Sequence, residues 1–250
     1  MIIFYDIASI GLETTWSPST WKTRYSLNFK GITYRTEWIE YPDIEAHAIE
    51  HEIPPSSRKP DGKPHYTLPA IYDESTGAKL SDSLVIADYL EKTYPDTPSL
   101  FPNNTRALQG AFDPAALANM GAVAQFSLPY LVSGKFFTQR GEKHYRALRE
   151  PAFRKRLEDI LPTGEARIRE WERFRNDVGN IAAWYDKTRD KGPFLLGETP
   201  SWADFVVGSY LVWLRVIWGA ESEEWKDVEV WHNGRWKNLF IAIKKYEKIV

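Results

Sequence analysis

The sequence predicts an α/β domain followed by an all-α domain. Strand-like and helix-like segments alternate in the order β-α-β-α-β-β-α over the first 95 residues. A proline-punctuated stretch, DTPSLFP at 96–102, then interrupts this pattern. Beyond it strand signals nearly disappear and apolar residues recur at helical spacing. We therefore expect domains at 1–95 and 105–250, joined by a linker at 96–104.

The first half opens with an apolar, β-prone run at 2–6, followed by a loop at 8–16. Ser17 and Pro18 come next, a pair typical of an N-cap and the first residue of a helix, and a glycine at position 31 is placed to end that helix. Alternating polarity predicts a second strand at 32–41. The proline-rich segment after it is polar, and we expect it to be helical only around 44–50.

The stretch 66–95 carries the most specific pattern of this half. Its extended run contains Pro69, and proline cannot donate to a strand ladder, so it belongs at an edge or beside a site that needs free backbone. A turn and a returning strand are predicted at 73–80. Three residues suited to a helix N-cap follow: Ser81, Asp82 and Ser83. The exposed N–H groups of such a helix start favour a carboxylate. The order of elements up to Pro95, which ends the helix, is the thioredoxin-like pattern.

The second half predicts a bundle of helices. Three long helices are expected at 105–132, with a bend near Pro129, at 142–161 and at 165–189. Ser201 and Asp204 form a Ser-x-x-Asp capping box in front of the apolar segment 205–218. A helix that is apolar nearly all round belongs in a core, so this segment is expected at the centre of the all-α domain.

Composition narrows the function. The net charge of −2 in 250 residues, with both signs mixed, argues against a nucleic-acid or anionic-membrane surface. No apolar run reaches the length of a membrane span and no basic leader is seen, so a cytoplasmic location is expected. With no cysteine there can be no disulfide, thiolate metal site or enzyme thiol. His47 and His51 share a helical face but lack a third ligand, so no metal is expected.

The stretch 66–95 resembles the glutathione-binding half of the glutathione transferases. In that family an X-Pro bond is cis and turns the backbone of the preceding residue toward the cysteinyl part of glutathione, while an acidic-Ser pair holds the γ-glutamyl group. Leu68-Pro69 and Asp82-Ser83 fall on those positions. The resemblance therefore implies that these four residues bind glutathione. Asp82 stands where most members have Glu or Gln, which keeps the carboxylate but shortens its reach.

The segment SPSTWKTR resembles the SSCSWRVR and CPFxQRxR segments of the serine- and cysteine-type classes of that family. Ser17 then takes the place of the catalytic Ser or Cys, whose hydrogen bond favours the glutathione thiolate. From the local sequence Ser17 could equally be an N-cap and nothing more. A one-residue shift of the loop would bring in Ser19 or Thr20 instead. For the glycine carboxylate of glutathione the candidate is Lys63, with Lys22 second.

Within the family the chain is most similar to the fungal etherase-related class called FuA, akin to bacterial β-aryl etherases. The features that carry this are FYDI, WSPSTWKTRYSLNFKGI, TEWIEYPDIE and the absence of cysteine. The resemblance implies attack of the glutathione thiolate on a bulky aromatic, wood-derived electrophile, such as a carbon bearing an aryl ether. It also implies a homodimer. Five residues are predicted to line the aromatic pocket: Trp16, Phe126, Tyr130, Trp213 and Trp218.

The sequence is also compatible with other functions. Eleven tryptophans could fill a helical core or line an aromatic-binding cleft, and the second possibility suggests a ligandin-type carrier of aromatic or polyphenolic compounds without catalysis. A structural or regulatory adaptor on the same fold is a third hypothesis. A glutathione-dependent isomerase of the maleylacetoacetate type is a distant fourth. No nucleotide-binding GxGxxG or P-loop motif is present.

Overall fold

The structure is a computed structural model that describes residues 1–10 and 15–250, so residues 11–14 of the predicted loop lie outside the described residues. The elements of the first domain are β1 Ile2–Ile7, α1 Pro18–Lys30, β2 Tyr34–Ile39, α2 Ile44–Glu50, β3 Ser57–Arg58, β4 Pro64–His65, β5 Ala70–Asp73, β6 Ala78–Ser81 and α3 Ser83–Thr93. The predicted order of strands and helices is confirmed. The short antiparallel hairpin of β3 and β4 is an addition that the sequence pattern did not predict.

A four-stranded mixed sheet forms the centre of the first domain, with strand order β2-β1-β5-β6. β1 pairs with β2 in parallel, whereas β1 with β5 and β5 with β6 are antiparallel. Every residue of β1 is buried, which explains why its sequence is a continuous apolar run and not an alternation.

Helix α1 is fixed to this sheet by a buried ion pair. The guanidinium of Arg24 donates to the carboxylate of Asp6 on β1 at 2.8 Å, and both side chains are completely buried. The same guanidinium donates to the hydroxyls of Tyr34 and Thr36 on β2, each at 3.2 Å. Since a buried charge is tolerated only when it is paired and hydrogen-bonded, this network sets the position of α1 on the two strands.

The second domain consists of helices α4 Arg106–Ala118, α5 Ala124–Leu131, α6 Gln139–Phe153, α7 Gly164–Tyr185, α8 Trp202–Trp218 and α9 Glu223–Ile243. Among the described residues no helix is both long and apolar enough to cross a membrane, and no group of three or more metal-ligating side chains occurs.

The predicted helix at 105–132 is wrong as a single element, because it is two helices, α4 and α5. The break follows Asn119, whose side chain donates to the Ala115 carbonyl at 2.9 Å, and a 3-10 turn at Gly121–Val123 separates the two. A side chain that satisfies a C-terminal carbonyl and a glycine of poor helix propensity together end α4. Pro129, where a bend was predicted, lies within α5.

The other helix ends differ less from the predictions. Helix α6 begins earlier than predicted and ends at Phe153, where Arg154 adopts a left-handed conformation; the rest of the predicted helix is a separate 3-10 turn, Leu157–Ile160. Helix α7 ends at Tyr185 and gives way to a 3-10 turn, Asp186–Lys191. Helix α8 begins at Trp202, three residues before the predicted segment.

The predicted capping box is confirmed and is wholly buried. The Asp204 carboxylate accepts hydrogen bonds from the N–H and hydroxyl of Ser201, both at 2.9 Å, and from the N–H of Leu195 at 2.8 Å. Complete burial raises the pKa of Asp204 to about 6, although these donors oppose the shift. The carboxylate therefore joins the loop before α8 to the helix itself.

The two domains pack through α1 and α8. The ring of Tyr25 stacks on that of Phe205, with 5.7 Å between centroids. The chain also returns to the first domain at its C-terminal end: the Asn28 side chain donates to the carbonyl of Tyr246 at 2.7 Å, and the N–H of Thr36 donates to the carbonyl of Val250 at 3.1 Å. Residues predicted to belong to the second domain thus hold α1 and the edge strand β2 of the first.

Replacing the buried carboxylate should destabilise the fold strongly. We expect Asp204→Ala to lower the free energy of unfolding by about 3 kcal/mol, because one buried and one partly buried backbone N–H group lose their acceptor. Ser201→Ala, the control, keeps both of those bonds and should cost about 1 kcal/mol. Urea unfolding at pH 7 measures both values. Equal losses in the two variants would contradict this role for Asp204.

Candidate functional site

The strand register brings the functional segments to one edge of the sheet. Ala70 lies opposite Tyr5 on one side and opposite Ser81 on the other. The residues just before Ala70, the residues just after Ser81 and the loop that leaves β1 therefore meet at the carboxyl end of β1. The helix starts of α1 and α3 lie at this edge. A site here is surrounded by backbone donors and by the positive ends of two helices.

Ser17 occupies the N-cap position of α1 but does not cap it. Its backbone is extended, and its carbonyl accepts from the N–H of Trp21 and the hydroxyl of Thr20, both at 3.1 Å. Its hydroxyl makes no capping bond, and no hydrogen bond to another described residue is found for it. The side chain is 5 % exposed. A hydroxyl without a partner, held at a helix N-terminus, is free to donate to an anion or a thiolate.

The two alternative hydroxyls of this loop are placed differently. Ser19 is exposed on the first turn of α1. Thr20 is buried, and its hydroxyl lies 3.1 Å from both the Ser17 carbonyl and the Thr15 hydroxyl. Of the three candidates, Ser17 is thus the buried one whose hydroxyl makes no hydrogen bond to another residue in the described part of the chain.

The Leu68-Pro69 peptide bond is cis. Leu68 is buried, and the pairing of β5 with β1 begins only at Ala70, so the backbone of Leu68 lies outside the ladder. Beside it, the hydroxyls of Ser56 and Thr67 lie 2.7 Å apart and join this segment to the β3–β4 hairpin. The N–H and C=O of Leu68 are consequently available to pair with an extended ligand backbone.

The start of α3 combines an acidic group with open donors. Asp82 adopts a left-handed φ of 75°, and one of its carboxylate oxygens accepts from the N–H groups of Leu84 at 2.9 Å and Val85 at 3.1 Å. For the second oxygen, and for the N–H and hydroxyl of Ser83, no hydrogen bond to another described residue is found. One carboxylate oxygen beside two donors can hold a group that carries both an ammonium and a carboxylate.

The two predicted cations have different surroundings. Lys22 is largely buried, and its ammonium donates to both carboxylate oxygens of Asp113 on α4, at 2.9 and 2.8 Å. Lys63 lies between β3 and β4, is 75 % exposed and pairs loosely with Asp61 at 3.4 Å. The Lys22 ammonium is therefore occupied by an ion pair between the domains, whereas the exposed Lys63 side chain can turn toward a ligand. The hairpin also carries two further basic residues, Arg58 and Lys59. Sequence reasoning missed them as candidate cations because it did not predict the hairpin.

Trp16 lies next to Ser17 in a cluster of aromatic rings from both domains. Its ring is 4 % exposed and contacts Phe137 at 5.0 Å and Tyr41 and Tyr145 at 6.4 Å. Its indole N–H is buried and finds no acceptor among the described residues. Burial raises the pKa of Tyr145 to about 12, so its phenol is neutral at pH 7. Sequence reasoning missed the three partner rings, because nothing local places α6 beside the loop after β1.

The other four predicted pocket residues lie on helices α5 and α8 of the second domain. Phe126 contacts the ring of Trp171 at 4.8 Å, and its carbonyl accepts from the indole of Trp218 at 2.7 Å. The Tyr130 hydroxyl donates to Glu224 at 3.1 Å. Trp213 packs against Tyr210, and its indole N–H finds no acceptor among the described residues. In the part of the chain that the structure describes, none of the four makes a ring contact with Trp16, so a pocket lined by all five stays a prediction.

Two family models together match most of the chain. The model for the N-terminal domain of glutathione S-transferases matches residues 16–93, and the model for their C-terminal domain matches residues 107–246. The curated glutathione S-transferase-like protein ustS of Aspergillus flavus is 30 % identical to the chain, over 96 % of the chain and 88 % of that protein.

Solved structures of fungal transferases superpose on the whole chain. A glutathione S-transferase of Ceriporiopsis subvermispora, crystallised in complex with glutathione, is 42 % identical with a TM-score of 0.93, covering 100 % of the chain and 98 % of that structure. Glutathione transferase GSTFuA3 of Phanerochaete chrysosporium is 41 % identical with a TM-score of 0.90 and the same coverage.

Removing one partner of the ion pair between Lys22 and Asp113 should lower the free energy of unfolding more than removing both partners. We expect Asp113→Leu to lower the free energy of unfolding by about 3 kcal/mol, because the Lys22 ammonium stays buried without its acceptor. The double variant Lys22→Met/Asp113→Leu should recover most of that loss. Thermal and urea unfolding measure the difference. A double variant that is no more stable than Asp113→Leu would show that the charges do not act as a pair.

Proposed function

Because the chain belongs to the glutathione S-transferase family, with fungal FuA-class structures among its similar proteins, we propose that it is a serine-type transferase in which Ser17 activates the glutathione thiol. The observation that carries this proposal is the buried hydroxyl of Ser17 at the start of α1, for which no hydrogen bond to another described residue is found. The family uses glutathione as its co-substrate, and the edge of the sheet described above supplies the groups to hold it.

Each part of glutathione meets a suitable group at this edge. The γ-glutamyl carboxylate binds the N–H and hydroxyl of Ser83, and its ammonium binds the free carboxylate oxygen of Asp82. Because the other oxygen of Asp82 already caps α3, the ammonium has a single oxygen to bind. The cysteinyl backbone pairs with that of Leu68 beside the cis bond to Pro69. Lys63 reaches the glycine carboxylate from the hairpin.

The chemistry follows from the state of the bound sulfur. A free thiol has a pKa of about 8.5, so only a few per cent is ionised at pH 7. A hydrogen bond from the Ser17 hydroxyl and the positive end of α1 both stabilise the thiolate and lower that pKa. The thiolate attacks an electrophilic carbon, a C–S bond forms, and the leaving group departs with its bonding electrons. When that carbon bears an aryl ether, the leaving group is a phenolate.

The aromatic cluster supports an aromatic second substrate. Trp16 immediately precedes Ser17 in the chain, and its ring contacts those of Tyr41, Phe137 and Tyr145. Flat rings pack favourably in offset or edge-to-face arrangements with such a set. Together with the FuA-class similarity, this supports bulky aromatic electrophiles of lignin or wood-extractive type, including β-aryl ethers.

The tryptophan content gives little support to the non-catalytic carrier. Most of these residues are packed into the core of the second domain or its junction with the first: Trp21, Trp202, Trp213, Trp218, Trp225, Trp231 and Trp236. Burial of large rings accounts for their number without a ligand surface. A non-catalytic carrier of aromatic compounds stays an alternative, which turnover measurements would distinguish from a transferase. A cytoplasmic location stays a prediction.

We propose a homodimer that forms through α4 and α3. The outward face of α4 bears no charge over three turns, since its exposed residues are Ala107, Leu108, Ala111, Pro114, Ala115, Leu117 and Ala118. Leu108 is 74 % exposed, and Val85 of the neighbouring α3 is half exposed. An apolar face of this extent is typical of an interface. A two-fold axis would place the same face of a second copy against it.

Removing the Ser17 hydroxyl should abolish activation but not binding. We expect Ser17→Ala to lower kcat/KM with an aromatic electrophile by 10- to 100-fold, because the thiolate loses its hydrogen-bond donor. Affinity for glutathione, measured by calorimetry, should change less than threefold. Ser19→Ala is the matched control and should keep full activity. Unchanged turnover in Ser17→Ala would remove Ser17 from the role, and absence of any heat with glutathione would refute the whole proposal.

A charge on the apolar face of α4 should separate the subunits. We expect Leu108→Glu to run as a monomer in size-exclusion chromatography with light scattering, because two buried carboxylates would face each other near the axis. Leu148→Glu replaces a leucine of similar exposure on α6 and should remain a dimer. If both variants and the unmodified chain have the same mass, the face of α4 is not the interface.

A further inference from the structure

A second cleft opens on the second domain. It has a volume of about 300 Å³ and lies between the 3-10 turn Asp186–Lys191, the two residues after it and the second half of α9. Six residues line it: Arg189, Gly192, Pro193, Asn233, Arg235 and Asn238. The only charged residues in this lining are two arginines, and the remaining polar side chains are two amides. No residue of the first domain contributes to it.

Arg235 is the buried charge of this cleft. It is 6 % exposed, and its one recorded acceptor is Asp186, at 3.0 Å from a terminal guanidinium nitrogen. The remaining N–H groups of the guanidinium make no hydrogen bond to another described residue and are not fully enclosed. A largely buried guanidinium with donors to spare, facing an open cleft, requires water or an anion there.

The backbone of α9 adds a further positive contribution. Three successive residues, His232, Asn233 and Gly234, have left-handed φ angles of 52°, 60° and 73°, so α9 is interrupted and a new helical run begins at Arg235. Its first N–H groups lie in the stretch that lines the cleft, with Asn233 before them and Asn238 one turn on. Gly192 and Pro193, the two residues after the 3-10 turn, also line the cleft.

We propose that this cleft binds a small oxyanion of the phosphate class, either free phosphate or the phosphate group of a monoester. Arg189 and Arg235 supply planar guanidinium donors that match such a group, and the two asparagine amides add neutral donors. The start of the second helical run favours negative charge in the same place. Asp186 offsets part of the charge of Arg235 but leaves Arg189 uncompensated, since no ion pair to Arg189 is recorded among the described residues.

The test measures phosphate binding to the full chain by titration calorimetry at constant ionic strength, with inorganic phosphate and phenyl phosphate as the probes. Arg189→Met removes the exposed guanidinium without disturbing the Arg235–Asp186 pair, and Asn238→Asp places a negative charge in the cleft. We expect affinity to fall about tenfold in the first variant and further in the second. Arg169→Met, an exposed arginine of α7 outside the cleft, should bind as the unmodified chain does.

Each outcome bears on the proposal. Saturable phosphate binding supports the proposal if Arg189→Met and Asn238→Asp both weaken it. Competition by phenyl phosphate would identify a monoester as the ligand. Binding of inorganic phosphate alone would identify the free anion. No saturable binding, or equal binding in all three variants, overturns it. Glutathione binding should be unaffected in every variant, so failure here is distinguishable from failure of the proposed transferase activity.

Discussion

Helix α1 is held between the two domains by one fully buried and one largely buried ion pair. On one side Arg24 is bound to Asp6 and to the hydroxyls of β2. On the other, Lys22 is bound to Asp113 of α4. Removing either partner would leave an uncompensated buried charge, so the helix has little freedom to shift or rotate. The hydroxyl of Ser17, at the N-terminus of α1, is therefore held in a fixed position. A hydrogen bond to a bound thiolate depends on such fixed geometry.

The sheet brings together segments that lie far apart in the chain. Because β5 lies between β1 and β6, the residues flanking it at one end are brought beside the loop after β1. The cis bond at Leu68-Pro69 and the start of α3 at Asp82 thereby come to the same edge as Ser17. Antiparallel pairing of β5 with both neighbours is sufficient to produce this arrangement.

The second domain completes the site by covering it. The N–H of Ile10 donates to the carbonyl of Phe136 at 3.2 Å, and Phe137 packs on Trp16. Arg140, at the start of α6, donates to the carboxylates of Asp43 and Glu40 in the first domain. The hydrogen bonds from Arg140 lower the pKa of Asp43, while the hydrogen bond from Thr138 and then that from Arg140 lower the pKa of Glu40. The same short segment therefore contacts the loop that carries Trp16 and the turn that carries Tyr41. The aromatic surroundings of Ser17 depend on the docking of the two domains.

The amino-acid sequence by itself determined the order of elements, the helix starts at Ser17, Asp82 and Ser201, and the proline that is cis, because each depends on residues within a few positions of one another. It also carried the motifs that resemble those of the glutathione transferases, the family to which the chain belongs. It did not reveal that Lys22 is bound to Asp113, that Trp16 contacts Phe137 and Tyr145, or that α4 and α5 are separate helices. Those features involve partners far apart in the chain, or a helix break whose signal at Asn119 and Gly121 is weak. The packing of one domain on the other decides the first two of these features, since a side chain's partner is set by what the fold brings within its reach.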